Sequence, residues 1–184
     1  HFSEKLDADQ LKDGWMSFGA CETWGGRDRH FWFRTNVVIR KEWAGKEVRV
    51  TLNTGADDIW NTDNPQIMAY KNGILSGTMD MNHQDLILAE EAEEAEVFEL
   101  VFYAYSNSEN STNFFHLKAA VYDREIADLY YDLKVPFEAA ELCFEEDLDR
   151  IEAMKFLNTA ISGLDLRKPG SEEFYQSVRE VREY

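Results

Sequence analysis

Three tryptophans and three arginines fall close together early in the sequence: Trp15, Trp24 and Trp32, with Arg27, Arg29 and Arg34. They occupy a glycine-containing loop and the strand pattern that follows it. Flat aromatic rings flanked by hydrogen-bond donors suit sugars, whose C–H faces stack on indole while their hydroxyls find polar partners. The same residue types also pack the edge of a sandwich or a seam between domains, which is the commoner use of a tryptophan. Trp24, Arg27, Trp32 and Arg34 are therefore the candidates for carbohydrate or interdomain contact.

Other chemistry is hard to assemble. The four histidines, His1, His30, His83 and His116, form no H-E-x-x-H or H-x-D pair and no cysteine-containing ligand set, so no catalytic metal site is visible. His116 falls on the face of its strand opposite Phe115 and Leu117 and reads as a solvent or interface histidine. Asp57, Asp58 and Asp63, with Asn61 and Asn64, gather oxygen ligands in one loop that would hold calcium if it curled on itself. Their spacing is not that of an EF-hand, and a solvated loop explains them as well. With 36 acidic residues some carboxylate pair will always sit at a glycosidase-like separation, but no local pattern raises one pKa selectively. There is no phosphate-binding glycine loop and no G-x-S-x-G elbow.

Cys21 and Cys143 are the only cysteines and lie far apart, which argues against a disulfide framework and for a reducing, cytoplasmic setting. Both read as small packed residues. Cys143 sits in the acidic stretch Glu141 to Asp147, the opposite of the electropositive surroundings that make a thiolate nucleophile.

The elements that must carry these residues follow from periodicity. Phe31, Phe33, Thr35, Val37 and Ile39 alternate with Trp32, Arg34, Asn36 and Arg40, a half-buried strand. After a polar turn at Lys41 to Lys46, Val48, Val50 and Leu52 alternate with Arg49, Thr51 and Asn53, which reads as the antiparallel neighbour of the first strand. Asn72-Gly73, between apolar stretches of Ile67 to Leu75, tolerates the positive φ angles of a tight type I′ hairpin. Two longer strands, Val97 to Tyr105 and Phe114 to Tyr122, flank the polar loop Ser106 to Asn113. Their inward faces would be Phe98, Leu100, Phe102 and Ala104, then Phe115, Leu117, Ala119 and Val121.

After Tyr122 the period changes. Ile126, Leu129, Tyr130, Leu133, Phe137 and Ala140 form a helical stripe that Pro136 should kink or interrupt. Leu148, Ile151, Met154, Leu157 and Ile161 form a second stripe, which Gly163 can end in the left-handed conformation. Pro169, Gly170 and Ser171 break the chain before a third helix, with Ser171 as N-cap and Phe174, Val178 and Val181 on one face, leaving apolar residues for a further partner to cover. The expected fold is mainly β: an antiparallel, jelly-roll, galactose-binding-like β-sandwich over residues 1–122, then a short α-helical segment over 123–184.

Charge and hydropathy narrow the partners. Of 184 residues, 44% are hydrophobic, enough for a folded core, and the formal charge of −17 disfavours binding to a polyanion such as nucleic acid. The run Glu90, Glu91, Glu93, Glu94, Glu96 and Glu99 reads as a solvated loop or strand edge. No segment approaches the roughly 20 apolar residues that span a bilayer. The first residue is His1 and not Met, so processing or a cloning boundary is expected to have removed whatever preceded it.

Three stretches taken in order carry a family resemblance. The first runs from Phe18-Gly19 to Phe31-Trp32-Phe33-Arg34-Thr35. The second is Glu42-Trp43-Ala44-Gly45-Lys46-Glu47-Val48-Arg49-Val50, a W-x-G-K-x-V turn and strand, followed by Thr54-Gly55 and Asn72-Gly73. The third is Leu129-Tyr130-Tyr131-Asp132-Leu133 with Phe137-Glu138-Ala139-Ala140-Glu141-Leu142, then Leu164-Asp165-Leu166-Arg167 and Phe174-Tyr175. Together they resemble the N-terminal region of the α-mannosidases of glycoside hydrolase family 38, in particular the bacterial and cytosolic or vacuolar branch. The resemblance implies a parent enzyme that is a retaining, zinc-dependent exo-α-mannosidase acting on mannose-containing glycans. It implies that the zinc and the nucleophile belong to a catalytic domain following this region, since no His-x-Asp motif occurs here. The chain would then be an inactive accessory domain with no cofactor of its own. It would dock on its own catalytic domain, shape the active-site rim and take part in a homo-oligomer. A self-sufficient carbohydrate-binding module is the alternative.

Overall fold

The computed structural model describes residues 14–55, 65–107, 109 and 112–183. The calcium candidates at 57–64, His1 and Tyr184 lie outside them. The chain divides into two compact units, residues 1–122 and 123–184.

Among the described residues the first unit has seven strands: β1 (Arg29–Val38), β2 (Val48–Asn53), β3 (Gln66–Lys71), β4 (Ile74–Met79), β5 (Asp85–Ala89), β6 (Val97–Ser106) and β7 (His116–Val121). They form a four-stranded sheet in the order β1-β6-β3-β4 and a three-stranded sheet in the order β5-β2-β7. Every pairing is antiparallel. The expected β-sandwich is present, and its core is made by the alternation. Val48, Val50 and Leu52 of β2 face Phe98, Leu100, Phe102 and Ala104 of β6 across the interior, all nearly or wholly buried. Phe115, Leu117, Ala119 and Val121 pack partly buried against the same core, as the period of β7 predicts.

One pairing departs from the sequence expectation. β2 is not the neighbour of β1: β1 pairs with β6, and β2 lies between β5 and β7 in the opposite sheet. The connection contains a 3-10 turn at Lys41–Trp43 and Gly45 at φ 72°, and Ile39 is buried on its way across. Two apolar faces of similar pattern can lie side by side or face to face. Alternation does not choose between these, whereas covering both faces does. β5 also escaped the sequence reading, although its Leu86 and Leu88 point inward, because it is short and set among polar residues. The hairpin β3–β4 turns at Asn72 and Gly73, at φ 51° and 79°, as its Asn-Gly pair requires. The acidic run from Glu90 to Glu99 lies in the β5–β6 connection and at the start of β6, with Glu96 half-buried and the other glutamates exposed.

The described residues of the second unit form three helices, α1 (Arg124–Glu141), α2 (Leu148–Gly163) and α3 (Glu172–Arg182). Asp123 caps α1 by accepting from the Ile126 N–H, and Ser171 caps α3 by accepting from the Phe174 N–H, as its position predicts. Leu129, Phe174 and Val178 form the small core, with Leu133, Leu164, Tyr175 and Val181 packed around it. Arg179 reaches Glu125 at 3.2 Å, and Arg182 reaches Asp132 at 2.8 Å, tying α3 to α1.

Three expectations here need correction. Pro136 lies inside α1 and does not end it; the carbonyl that loses its helical partner to the proline is that of Asp132, an exposed residue. Gly163 stays helical, and α2 ends as Leu164 turns extended at φ −76°. A Cβ on Gly163 would stand 3.0 Å from Val181 Cγ2, so its small size serves close packing of α2 on α3. The apolar face of α3 is covered within its own unit. The uncovered apolar residues sit instead on and between α1 and α2, including Tyr130, Tyr131, Phe144 and Ile151.

Candidate functional site

Segment 14–24 runs along the open side of the sandwich, between the edge strands β1 and β7. There Phe18 meets Phe33 edge-on at 5.2 Å, and the Ala20 carbonyl lies 2.7 Å from His116 Nε2. A cleft of about 1070 Å³ opens along this seam, lined among others by Trp15, Phe18, Phe31, Phe33, Phe115 and Leu117. It is the splayed mouth of the core, where strands of different sheets cannot hydrogen-bond to each other.

Trp24 sits at the inner end of this segment and is a core residue, 2% exposed. Its indole N–H donates to the Phe114 carbonyl at 3.0 Å, and its ring meets Phe31 and Phe33 edge-on at 5.2 and 5.5 Å. Its backbone exchanges two hydrogen bonds with Asn113. Packing, not sugar contact, is what these surroundings allow. Arg27 is exposed and pairs with Glu109 at 3.4 Å; between two exposed side chains such a pair contributes little. Arg34 lies over the Trp15 ring at 4.8 Å and caps the outer end of the segment.

Trp32 is placed differently. It projects from the opposite face of β1, away from the core, and its ring centroid lies 5.3 Å from that of Tyr103 and 6.1 Å from that of Tyr70. The β1–β6 register sets His30 opposite Tyr105 and Trp32 opposite Tyr103, and β3 brings Tyr70 opposite Val101, so one outer sheet face gathers five aromatic rings. His30 stacks on Tyr103 at 5.8 Å and shares a hydrogen bond of 2.7 Å between its Nδ1 and the Tyr103 hydroxyl. The Tyr105 hydroxyl donates to the Asp28 carboxylate at 2.8 Å. Burial, with the neighbouring Tyr70, pushes the Tyr103 hydroxyl above the usual tyrosine range, and the bond to Asp28 does so for Tyr105. Both therefore remain neutral hydrogen-bonding groups at physiological pH. The Trp32 Nε1 atom is buried without a hydrogen-bond partner, a state that costs about 1–3 kcal/mol.

Three of the four candidates, Trp24, Trp32 and Arg34, border the one cleft along the seam, Trp24 from the core and Trp32 and Arg34 from the outward side of β1, while Arg27 lies apart in a loop. Tyr70, Tyr103 and Tyr105 were missed because only the inward alternation of β6 and the turn of the β3–β4 hairpin were read. Their signal was the outward alternation of the same strands.

Glu47 is buried and paired with Arg49 at 2.5 Å, and the Arg49 guanidinium lies 3.3 Å from the centre of the Tyr122 ring. Such a pair is retained because breaking it would strand a charge. Both cysteines are unpaired; Cys143 is half-buried, but Cys21 is exposed and not packed as its type suggests. Among the described residues, no group of three or more His, Cys, Asp or Glu side chains comes together to hold a metal ion. No helix among them is long and apolar enough to cross a membrane.

Comparison with protein-family models and with curated protein sequences finds no match to the chain.

Proposed function

We propose that this chain is a non-catalytic accessory region of a retaining, zinc-dependent α-mannosidase that removes terminal α-mannosides from glycans. In this reading the sandwich and helices dock on the catalytic domain and shape the rim of its active site. The observation that carries the docking role is the apolar surface of the helical unit. Tyr131 is 57% exposed, Phe144 80% and Leu142 90%, with Leu148 and Ile151 nearby in sequence. Large apolar side chains left exposed this close together in the chain are the kind of surface a partner covers. The mannosidase identity rests on the ordered resemblance of the Phe31-to-Thr35 strand, the Trp43-to-Val50 turn and strand, and the Leu129-to-Leu142 helix. Two free thiols favour a reducing compartment, the cytoplasm. Zinc and the nucleophile would reside in the catalytic domain.

The test is an assay with a nitrophenyl α-mannoside on the purified chain and on the product of the whole reading frame that contains it. The expected result is no release by the chain and release by the whole product that a chelator abolishes. Hydrolysis by the chain, or a whole product without chelator-sensitive α-mannosidase activity, would sink the reading.

A further inference from the structure

We infer that the outer face of the β1-β6-β3-β4 sheet is a platform for a neutral oligosaccharide, with His30, Trp32, Tyr70, Tyr103 and Tyr105 as its contact surface. A platform here would serve a mannosidase or any other parent chain, so it does not depend on the reading above.

Three features point to a sugar. The first is shape. From His30 to Arg34 along β1, and from β1 to β3 across the sheet, the patch spans roughly 13 Å by 10 Å, the footprint of about two or three pyranose rings. Tyr103, 9% exposed, forms the floor, while His30, Trp32, Tyr70 and Tyr105 are half-buried around it. The second is chemistry. Each of these rings joins an apolar surface to a polar group, the combination that matches C–H faces alternating with hydroxyls. The hydroxyls of Tyr103 and Tyr105 are held in place by His30 and Asp28, so little is lost in ordering them on binding. The third is charge. At a formal −17 the chain repels anionic polymers, so among glycans the neutral ones can settle on these rings without an electrostatic penalty.

The platform differs from the loop that sequence spacing singles out. Trp24 is inside the sandwich and plays no part in it, whereas Trp32, on the edge strand β1, also borders the cleft along the seam.

The experiment is titration calorimetry of the purified chain with α-linked mannotriose, cellotriose and chitotriose, with a heparin oligosaccharide as the anionic probe. At least one neutral trisaccharide should bind saturably with a Kd of roughly 10 μM to 1 mM, and heparin should not bind. Trp32→Ala and Tyr70→Ser should each weaken binding by about tenfold or more, whereas Trp15→Ala should leave it unchanged. Since Trp32→Ala removes a large ring, Tyr105→Leu provides a second, milder variant, with the far-ultraviolet spectrum checked for each. Any of four results would overturn the proposal: no saturable heat with the three neutral sugars, binding that survives Tyr70→Ser and Tyr105→Leu in folded protein, binding of heparin alone, or self-association through this face that Tyr70→Ser abolishes.

Discussion

Trp24→Phe separates a core tryptophan from a ligand-binding one. The replacement keeps an aromatic ring against Phe31 and Phe33 but removes the indole N–H that reaches the Phe114 carbonyl at 3.0 Å. Loss of that bond, with the carbonyl left in a part-buried site, costs about 1–3 kcal/mol. The smaller ring also leaves a void of roughly 40 Å³, which at about 24 cal/mol per Å³ adds about 1 kcal/mol. The sum is about 2–4 kcal/mol. With a urea m-value near 2 kcal/mol per M, the unfolding midpoint of the sandwich should fall by roughly 1–2 M. Circular dichroism in the far ultraviolet is the suitable probe, because the substitution removes a fluorophore. Sugar titration on the same variant, below its unfolding range, should match that of the unaltered chain. A midpoint unchanged to within about 0.2 M would refute the core assignment, and loss of sugar binding in folded Trp24→Phe protein would return the site to the loop.

Two further predictions concern the turn of the β3–β4 hairpin and the α2–α3 connection. Gly73→Val places a β-branched residue at φ 79°, and should destabilise the sandwich by about 1–2 kcal/mol in thermal melts, without changing the helical unit. Asp165 is held at a pKa of about 2, first by hydrogen bonds from the Arg167 side chain and then by the Arg167 backbone N–H. A depressed carboxylate contributes stability that is present above its unfolded pKa, near 4, and is lost as pH falls through the folded value. The melting temperature of Asp165→Asn should therefore lie below that of the parent chain at neutral pH and converge with it between about pH 4 and 2; a gap that persists below that window would show that the contribution is not ionic.

Most of the sandwich was legible in the sequence because a strand with one buried face writes its burial as alternation. Phe98, Leu100, Phe102 and Ala104 could be placed inward, and Asn72-Gly73 identified as a turn, without any knowledge of neighbours. The partner of a strand is another matter. Val48, Val50 and Leu52 have the same pattern whether β2 lies beside β1 or across the core from it, and only closure of two sheets on one another decides. In the helices, Phe174 and Val178 were legible as a buried face. The stripe of α2 was not, because Leu148, Ile151 and Ile161 remain exposed while Leu157 and Ala160 are buried.

The candidate site divides along the same line. Residue type and spacing marked out Trp24 and Trp32 as rings that could meet a sugar, but could not tell the buried one from the one on the outer face, because that depends on which side of a folded edge each ring is set. The aromatic platform joins residues from β1, β3 and β6 that are up to 75 positions apart, His30 to Tyr105, and it exists only through the antiparallel register that aligns them. Sequence determined most of the strands and their inward faces, the existence of three helices, the Ser171 cap and the acidic character of the chain, all set by local chemistry and period. Tertiary structure alone decided which faces met and which aromatic rings remained outside, since both follow from covering apolar surface over the whole unit at once.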